Sequence, residues 1–290
     1  MKLSTAGDRL PPNIYSGGQC DQDDLLNFVN GPQLAYEHLD WFPSHSRLSS
    51  ESTFCVSSPD QLQAVLSVAP ETQDFAWLRF FFTRRDGNHN PNFSVLFKHA
   101  RDWLGSQGVS KLYSLSHRDW FERLLIDNGF KVETQLISLV TGQISGTPPK
   151  LESKVVIRPL HSNDLPEIGA LDKVCFSPPW QLNEAGLEKC YISGEYSSLG
   201  SINGKPVAYQ VTTRLFDRLH LARLAVHPQA RGRGIARALL FDLSAHFEGS
   251  NVEAIGVNTQ VDNQASLKLY SSLGFKQDGP LIPVYSFDLS

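Results

Sequence analysis

The chain has 290 residues, 41% of them hydrophobic and 10% aromatic, enough to bury one large core or two ordinary ones. A formal charge of −4 and a pI near 6.1 exclude the broad basic face of a general nucleic-acid or membrane binder, so any basic patch must be local. Cys20, Cys55, Cys175 and Cys190 form no C-x-x-C pair, and neither an apolar leader nor a run of about 18 apolar residues is present, so a soluble cytoplasmic protein with reduced cysteines and no metal site is expected.

In chain order, residues 1–140 carry no chemical motif, but Phe75 to Thr83 reads as an apolar strand and Phe93 to Leu104 as a helix. At "TGQISGTPPKLESK", Thr141 to Lys154, the hydrophobic periodicity stops and small polar residues take over, as in a connector with little apolar surface to bury. The expected division is therefore a domain over 1–140, a linker over 141–153 and a second domain over 154–290.

Within the second domain, "KVVIRPL" predicts a strand and "HSNDLPEIGALDKVCF" a helix capped by Ser162 or Asn163, with Pro166 in its first turn. "SSLGSINGKPVAYQVTTRLFDRLHLARLAVHP" predicts three strands, the first two joined by the hairpin pair Asn203-Gly204. In the third strand Leu219 and Leu221 are apolar at odd positions and Leu224 and Val226 at even ones. Either a β-bulge near Ala222-Arg223 restores the phase, or the strand is buried on both faces. Ile235, Leu239, Leu243 and Phe247 then mark a core-facing helix, "VEAIGVNTQ" a strand, "NQASLKLYSSLGF" a short helix and "PVYSFDLS" a last strand. The order is that of a mixed α/β protein.

At the mouth of the core-facing helix stands "HPQARGRGIARALL", with Arg231, Arg233 and Arg237 alternating with Gly232 and Gly234. A glycine-rich turn entering a helix N-terminus presents unpaired N–H groups to an anion, phosphate above all, although a solvated basic cap has the same composition. Gly-Lys-Ser/Thr is absent, and a dinucleotide fingerprint would need glycine where Arg237 stands.

Arg231-Gly232-Arg233-Gly234-Ile235-Ala236, followed by Asn263, Leu267 and Leu269-Tyr270-Ser-Ser-Leu-Gly274-Phe275, resembles the two motifs of the GNAT acetyltransferase superfamily over residues 154 to 290. The resemblance implies a mixed, mostly antiparallel sheet flanked by helices, and acetyl-CoA as co-substrate, its pyrophosphate on that loop. It implies pairing of the pantetheine arm with main-chain groups of Leu224, Ala225 and Val226, and an acid role for Tyr270, which could equally be a packing aromatic. Leu224 or Ala225 N–H groups would stabilise the oxyanion. "DKVCFSPPWQL" resembles the acceptor segment of ribosomal-protein N-terminal acetyltransferases, pointing to Phe176 and Trp180 at an amine acceptor, or to a turn that only packs. Asn258 stands where a carboxylate base might, and Glu253, His220 and Asp217 are open alternatives. The expected activity is N-acetyl transfer to a primary amine, small molecule or peptide N-terminus, with no nucleic-acid or membrane partner; a silent acetyl-CoA sensor is the alternative.

Laying Phe130 of "NGF" over Phe275 of "LGF" gives an offset of 145 that matches strand to strand and helix to helix. Residues 1–140 then read as a degenerate copy of the same fold, or else as an unrelated α/β domain. In the copy, Leu125 replaces Tyr270, Arg118 replaces Asn263, and "DGNHNPNF" with its one glycine, Gly87, replaces the loop.

Overall fold

The computed structural model describes residues 13–38, 43–59, 61–85, 89–116, 118–152 and 154–289, and the turn residue Gly87 lies outside them. The chain divides into two units, residues 1–131 with 285–290 and residues 132–284. A cut in the 141–153 linker would assign 132–140 to the first unit and 285–290 to the second. The structure exchanges these two segments and places the linker wholly in the second unit.

The first unit contains β1 (Asn13–Ser16), α1 (Gln22–Val29), β2 (Leu34–Glu37), β3 (Thr53–Ser58), β4 (Gln61–Pro70), β5 (Phe75–Thr83), α2 (His89–Ser106), β6 (Lys111–Leu115) and α3 (Asp119–Asp127). Strands β1, β3, β4 and β5 run antiparallel in that order, and β6 pairs parallel with the start of β5. β5 is buried at all nine positions, which is why it reads as a continuous apolar run. Phe93, Leu96, Phe97, Ala100 and Leu104 of α2 close one face of the sheet together with Phe121, Leu124 and Leu125 of α3. The returning segment from Tyr285 is fastened there: Phe287 lies 5.0 Å from Phe97 and 5.4 Å from Phe130, ring to ring, and Leu289 N–H donates to Ser110 C=O.

The second unit takes all but the first residue of β7 (Lys131–Thr141) and continues through β8 (Val155–Pro159), α4 (Leu165–Cys175), α5 (Glu184–Ile192), β9 (Tyr196–Ile202), β10 (Lys205–Leu215), β11 (Arg218–Val226), α6 (Ile235–His246), β12 (Ala254–Gln260), α7 (Gln264–Ser272), β13 (Lys276–Gln277) and the start of β14 (Ile282–Asp288). Its strand order is β8, β9, β10, β11, β12, β7, with β11 and β12 the parallel pair. Asn203 and Gly204 both have positive φ, 52° and 80°, as the predicted hairpin turn requires. The helix α4 is not capped by Ser162 or Asn163, which lie in a preceding 3-10 turn. The carboxylate of Asp164 instead forks onto Arg158 at 2.7 and 2.8 Å and accepts from His161 N–H.

The linker is not a loose connector. Ile144 is buried in the core beside Leu273 and Phe275, Ser145 N–H donates to Leu273 C=O, and Pro149 lies against Gly234. Enough of its residues find apolar or hydrogen-bonding partners to order a segment whose composition resembles a spacer.

Candidate functional site

The predicted bulge is present. β10 pairs Val211 with Arg223 but Thr212 with Leu221, so Ala222 is the extra residue on β11. Leu219 and Leu221 before it, and Leu224 after it, thereby pack on the α6 side, while Arg223 turns to the opposite face. β11 pairs with β12 only from Arg218 to Leu221, opposite Ala254 to Val257. Beyond Val257, β12 continues alongside β7, whereas Arg223 to Val226 keep partners on the β10 edge alone. The two parallel strands part there and leave a main-chain edge open.

Which groups line that edge follows from the alternation of antiparallel pairing. His227 N–H donates to Val207 C=O, so His227, Ala225 and Arg223 spend their main-chain groups on β10, and Leu224 and Val226 face the gap. Ala225, expected among the open amides, is therefore excluded, because it is paired with Tyr209. The Val226 C=O accepts from Arg231 Nε at 3.1 Å, leaving both groups of Leu224 and the Val226 N–H without a partner among the described residues.

The arginine loop follows directly. Gly232 and Gly234 have φ of 75° and 78°, a region costing about 1–2 kcal/mol for a residue with a Cβ. Gly234 is the N-cap residue of α6 and offers no side-chain cap, and the first intrahelical bond runs from Ala238 N–H to Gly234 C=O. The N–H groups of Ile235, Ala236 and Arg237 thus converge unpaired at the positive end of the helix dipole. Ile235 contributes only main chain, since its side chain is core. The arginines are partly engaged: Arg233 forks onto Glu152 of the linker at 2.5 and 3.2 Å, and Arg237 donates to Thr147 C=O and Ser272 Oγ. Arg233 in turn holds the Glu152 carboxyl below its usual range.

Tyr270 is 4% exposed, in ring contact with Phe275. Burial raises its hydroxyl well above the ordinary phenol value, and no described residue hydrogen-bonds it. The ring is packed in the core and its hydroxyl stays protonated, so packing at this position leaves the proton in place. Asn263 is the N-cap of α7, its Oδ1 accepting from Ser266 N–H, so it sets where the helix carrying Tyr270 begins.

The base candidates do not gather at the gap. Asp217 and Glu253 lie at the closed end, where Glu253 N–H donates to Asp217 C=O, and His220 lies opposite Gly256 where the strands still pair. Asn258 stands at the mouth, just past the last parallel pair, and its Oδ1 accepts from Ser138 Oγ at 2.8 Å.

Sequence reasoning missed a buried cluster below this edge. Asp172 of α4 and Tyr209 of β10 are fully buried, and the hydroxyl of Tyr209 donates to Asp172 Oδ2 at 2.5 Å. Arg223 pairs with the same carboxylate. Its guanidinium sits 3.7 Å from the ring centroid of Phe176 and donates to Trp180 C=O at 2.8 Å. Part of the signal was legible in principle: "LARLAV" holds one base, Arg223, in an otherwise apolar stretch, whereas the acid in "IGALDKVCF" stands beside Lys173.

A glycine-capped helix thus stands beside a strand that parts from its parallel neighbour. The profile of the Acetyltransferase (GNAT) family matches residues 165–275, from the start of α4 through α7. The second unit is a GNAT acetyltransferase domain. The protein is an acyltransferase of the N-acetyltransferase class, in a family that uses acetyl-CoA as co-substrate. The [ribosomal protein bS18]-alanine N-acetyltransferase of Escherichia coli K12 is 29% identical over 125 residues, which are 42% of this chain and 80% of that relative. Two solved structures extend the likeness of fold over both units. A tandem GNAT protein from the clavulanic acid biosynthesis pathway has a TM-score of 0.62 at 12% identity, covering 97% of this chain and 99% of that one. A GCN5-related N-acetyltransferase from Sphaerobacter thermophilus has a TM-score of 0.58 at 13% identity, covering 98% and 97%. Among the described residues no helix is long and apolar enough to cross a membrane.

Proposed function

We propose that the second unit moves the acetyl group of acetyl-CoA directly to a primary amine, with one working site per chain. The observation that carries this reading is the open edge at Leu224 and Val226, continuous with the unpaired N–H groups of Ile235, Ala236 and Arg237. The residues present suit the co-substrate. The loop offers several convergent donors and two glycines that let a pyrophosphate approach, with Arg231, Arg233 and Arg237 around it. The open edge offers the spacing of a strand to the amides of a pantetheine arm. Leu224 N–H is the main-chain donor placed to stabilise an oxyanion, and Tyr270, protonated throughout the physiological range, is the donor to a departing thiolate.

Direct attack fits the thiols as well. Burial pushes Cys175 up to about 11 and Cys190 up to about 12, so neither is a ready nucleophile for an acyl-cysteine relay. Phe176 and Trp180 belong to the α4–α5 segment, where the acceptor is expected to bind. A peptide N-terminus beginning with alanine is a first acceptor to try, because the matched E. coli relative is named for such a reaction. With Asn258 rather than a carboxylate at the mouth of the gap, the attacking amine must arrive already neutral.

Thiol release from acetyl-CoA, measured across a panel of amines, amino acids and short peptides, tests the proposal. Turnover of at least one acceptor is expected, with kcat/KM rising with pH up to the acceptor's own ammonium pKa, about 8 for a peptide N-terminus. Binding of acetyl-CoA with no turnover of any member would favour a sensor instead.

A further inference from the structure

We infer that Arg223 is a positioning residue that anchors the acceptor-binding segment Phe176 to Leu182 to the sheet beside the site, with Asp172 and Tyr209 holding its guanidinium in place. The inference rests on the proposed acetyl transfer and adds to it the group that shapes the acceptor side.

Arg223 is the residue after the bulge, and its main chain is paired with Val211, so β10 already sets the strand's phase without the side chain. The side chain is 10% exposed, and each of its three nitrogens has a partner. Nε lies 3.1 Å from Asp172 Oδ2, Nη2 pairs with the same oxygen, and Nη1 donates to Trp180 C=O. The Phe176 ring lies against the guanidinium plane at 3.7 Å. Asp172 completes the bracket from the other side, its Oδ1 accepting from Leu182 N–H at 3.2 Å and its Oδ2 from the Tyr209 hydroxyl. The segment is thus held near its beginning by a ring, in its middle by a carbonyl and at its end by an amide, all through one buried ion pair. A pair that merely stabilised the fold would have no need of three contacts to a single irregular segment. The pair is neutral as a whole, so the cluster adds no net charge beside an incoming amine. What it supplies is the fixed placement of Phe176 and Trp180.

A guanidinium is required for this, because an ammonium cannot bracket a carboxylate, reach a carbonyl and stack on a ring at once. Two variants test it. Arg223→Lys keeps the charge and loses the fork. The triple variant Asp172→Leu, Tyr209→Phe, Arg223→Met replaces the buried polar cluster with apolar volume, a change that buried ion pairs commonly tolerate. Three quantities are measured: acetyl-CoA affinity by calorimetry, KM and kcat for whichever amine of the panel is acetylated fastest, and amide hydrogen exchange over residues 176–183 without substrates. The expected result is a rise of about tenfold or more in acceptor KM in both variants, as misplaced binding groups typically produce. Exchange in 176–183 should be faster and acetyl-CoA affinity unchanged. Unaltered exchange or unaltered acceptor KM in either folded variant overturns the inference, as does a loss that falls on acetyl-CoA affinity instead. If the wild-type protein acetylates no amine, the proposed function has failed; the exchange measurement still judges the anchor, and protection unchanged by the substitutions sinks it independently.

Discussion

The two units carry the same strand in the same place and treat its far edge oppositely. Along this strand the offset is 143, not the 145 expected from laying Phe130 over Phe275: Phe75 and Arg218 begin the strands, Arg79 and Ala222 are the bulged residues, and Thr83 and Val226 end them. In each unit the parallel neighbour is lost beyond the start of the strand, after Trp77 in one and Leu221 in the other. The first unit then fills the gap with its own chain. β2 pairs Glu37 with Phe80 through Leu34 with Thr83, so these residues have partners on both edges, and His38 N–H donates to Arg79 C=O. The equivalent edge of β11 is open. On the proposed function, a bulge and a parting of strands do not make a co-substrate site by themselves; the freed main chain must also remain unpaired, as it does in β11 and not in β5.

If this contrast governs binding, calorimetry will find one acetyl-CoA per chain, and Gly232→Glu will weaken it by at least about a hundredfold, through charge repulsion at the loop. Gly232 is the cleaner position for this test. A Cβ there meets no atom within 4 Å, whereas at Gly234 it would press on Pro149 at 3.2 Å. Two sites per chain, or undiminished affinity in the folded variant, would break the contrast.

Tyr270→Phe removes the hydroxyl that Leu125 lacks in the corresponding position of the first unit. The expected loss in kcat is about 10²–10⁴-fold, with acetyl-CoA affinity unchanged. Equal turnover, with chemistry rate-limiting, would leave Tyr270 a packing residue.

The seal in the first unit is probed at Tyr36, which stacks on Phe121 at 4.0 Å and receives Ser114 Oγ–H on its hydroxyl at 3.2 Å. Tyr36→Ala should cost about 3–5 kcal/mol in denaturant unfolding, and Tyr36→Phe about 1 kcal/mol. Neither should create a second acetyl-CoA site, because the sequence "DGNHNPNF" has one glycine and no arginine where the second unit has its loop; appearance of one would show that β2 alone silences this unit.

The smallest effect belongs to the Arg158–Asp164 fork, which holds the Asp164 carboxyl down to about 2 against an ordinary 3.8. A depressed carboxylate pKa stabilises above the ordinary value and loses that contribution as pH falls through the depressed one. Asp164→Asn should therefore cost at most about 1 kcal/mol at pH 7, as partly exposed pairs do, and the difference from wild type should close between about pH 4 and pH 2. A thermal-melt difference independent of pH over that window would remove the ion pair as its cause.

Local chemistry written along one stretch of chain was legible without the structure. The phase change from Leu221 to Leu224 pointed to an extra residue or to a strand buried on both faces, and the structure has the extra residue, Ala222; Asn203-Gly204 made the hairpin turn; the spaced glycines stand at positive φ at the mouth of α6. The apolar runs of β5 and α6 were equally plain. Each depends on neighbours within a few residues, where side-chain period and backbone sterics act directly.

Only the tertiary structure decided which edges stay open and which residues meet. Strand pairing is made by main-chain groups that every residue carries, so nothing in "LAYE" announces that β2 will occupy the edge of β5, nor in residues 132–141 and 285–290 that they will exchange units. The same holds for Asp172, Tyr209 and Arg223. Burying a charge is unfavourable until its partner arrives, and the partner here stands 51 residues away, brought to it by the packing of α4 on the sheet.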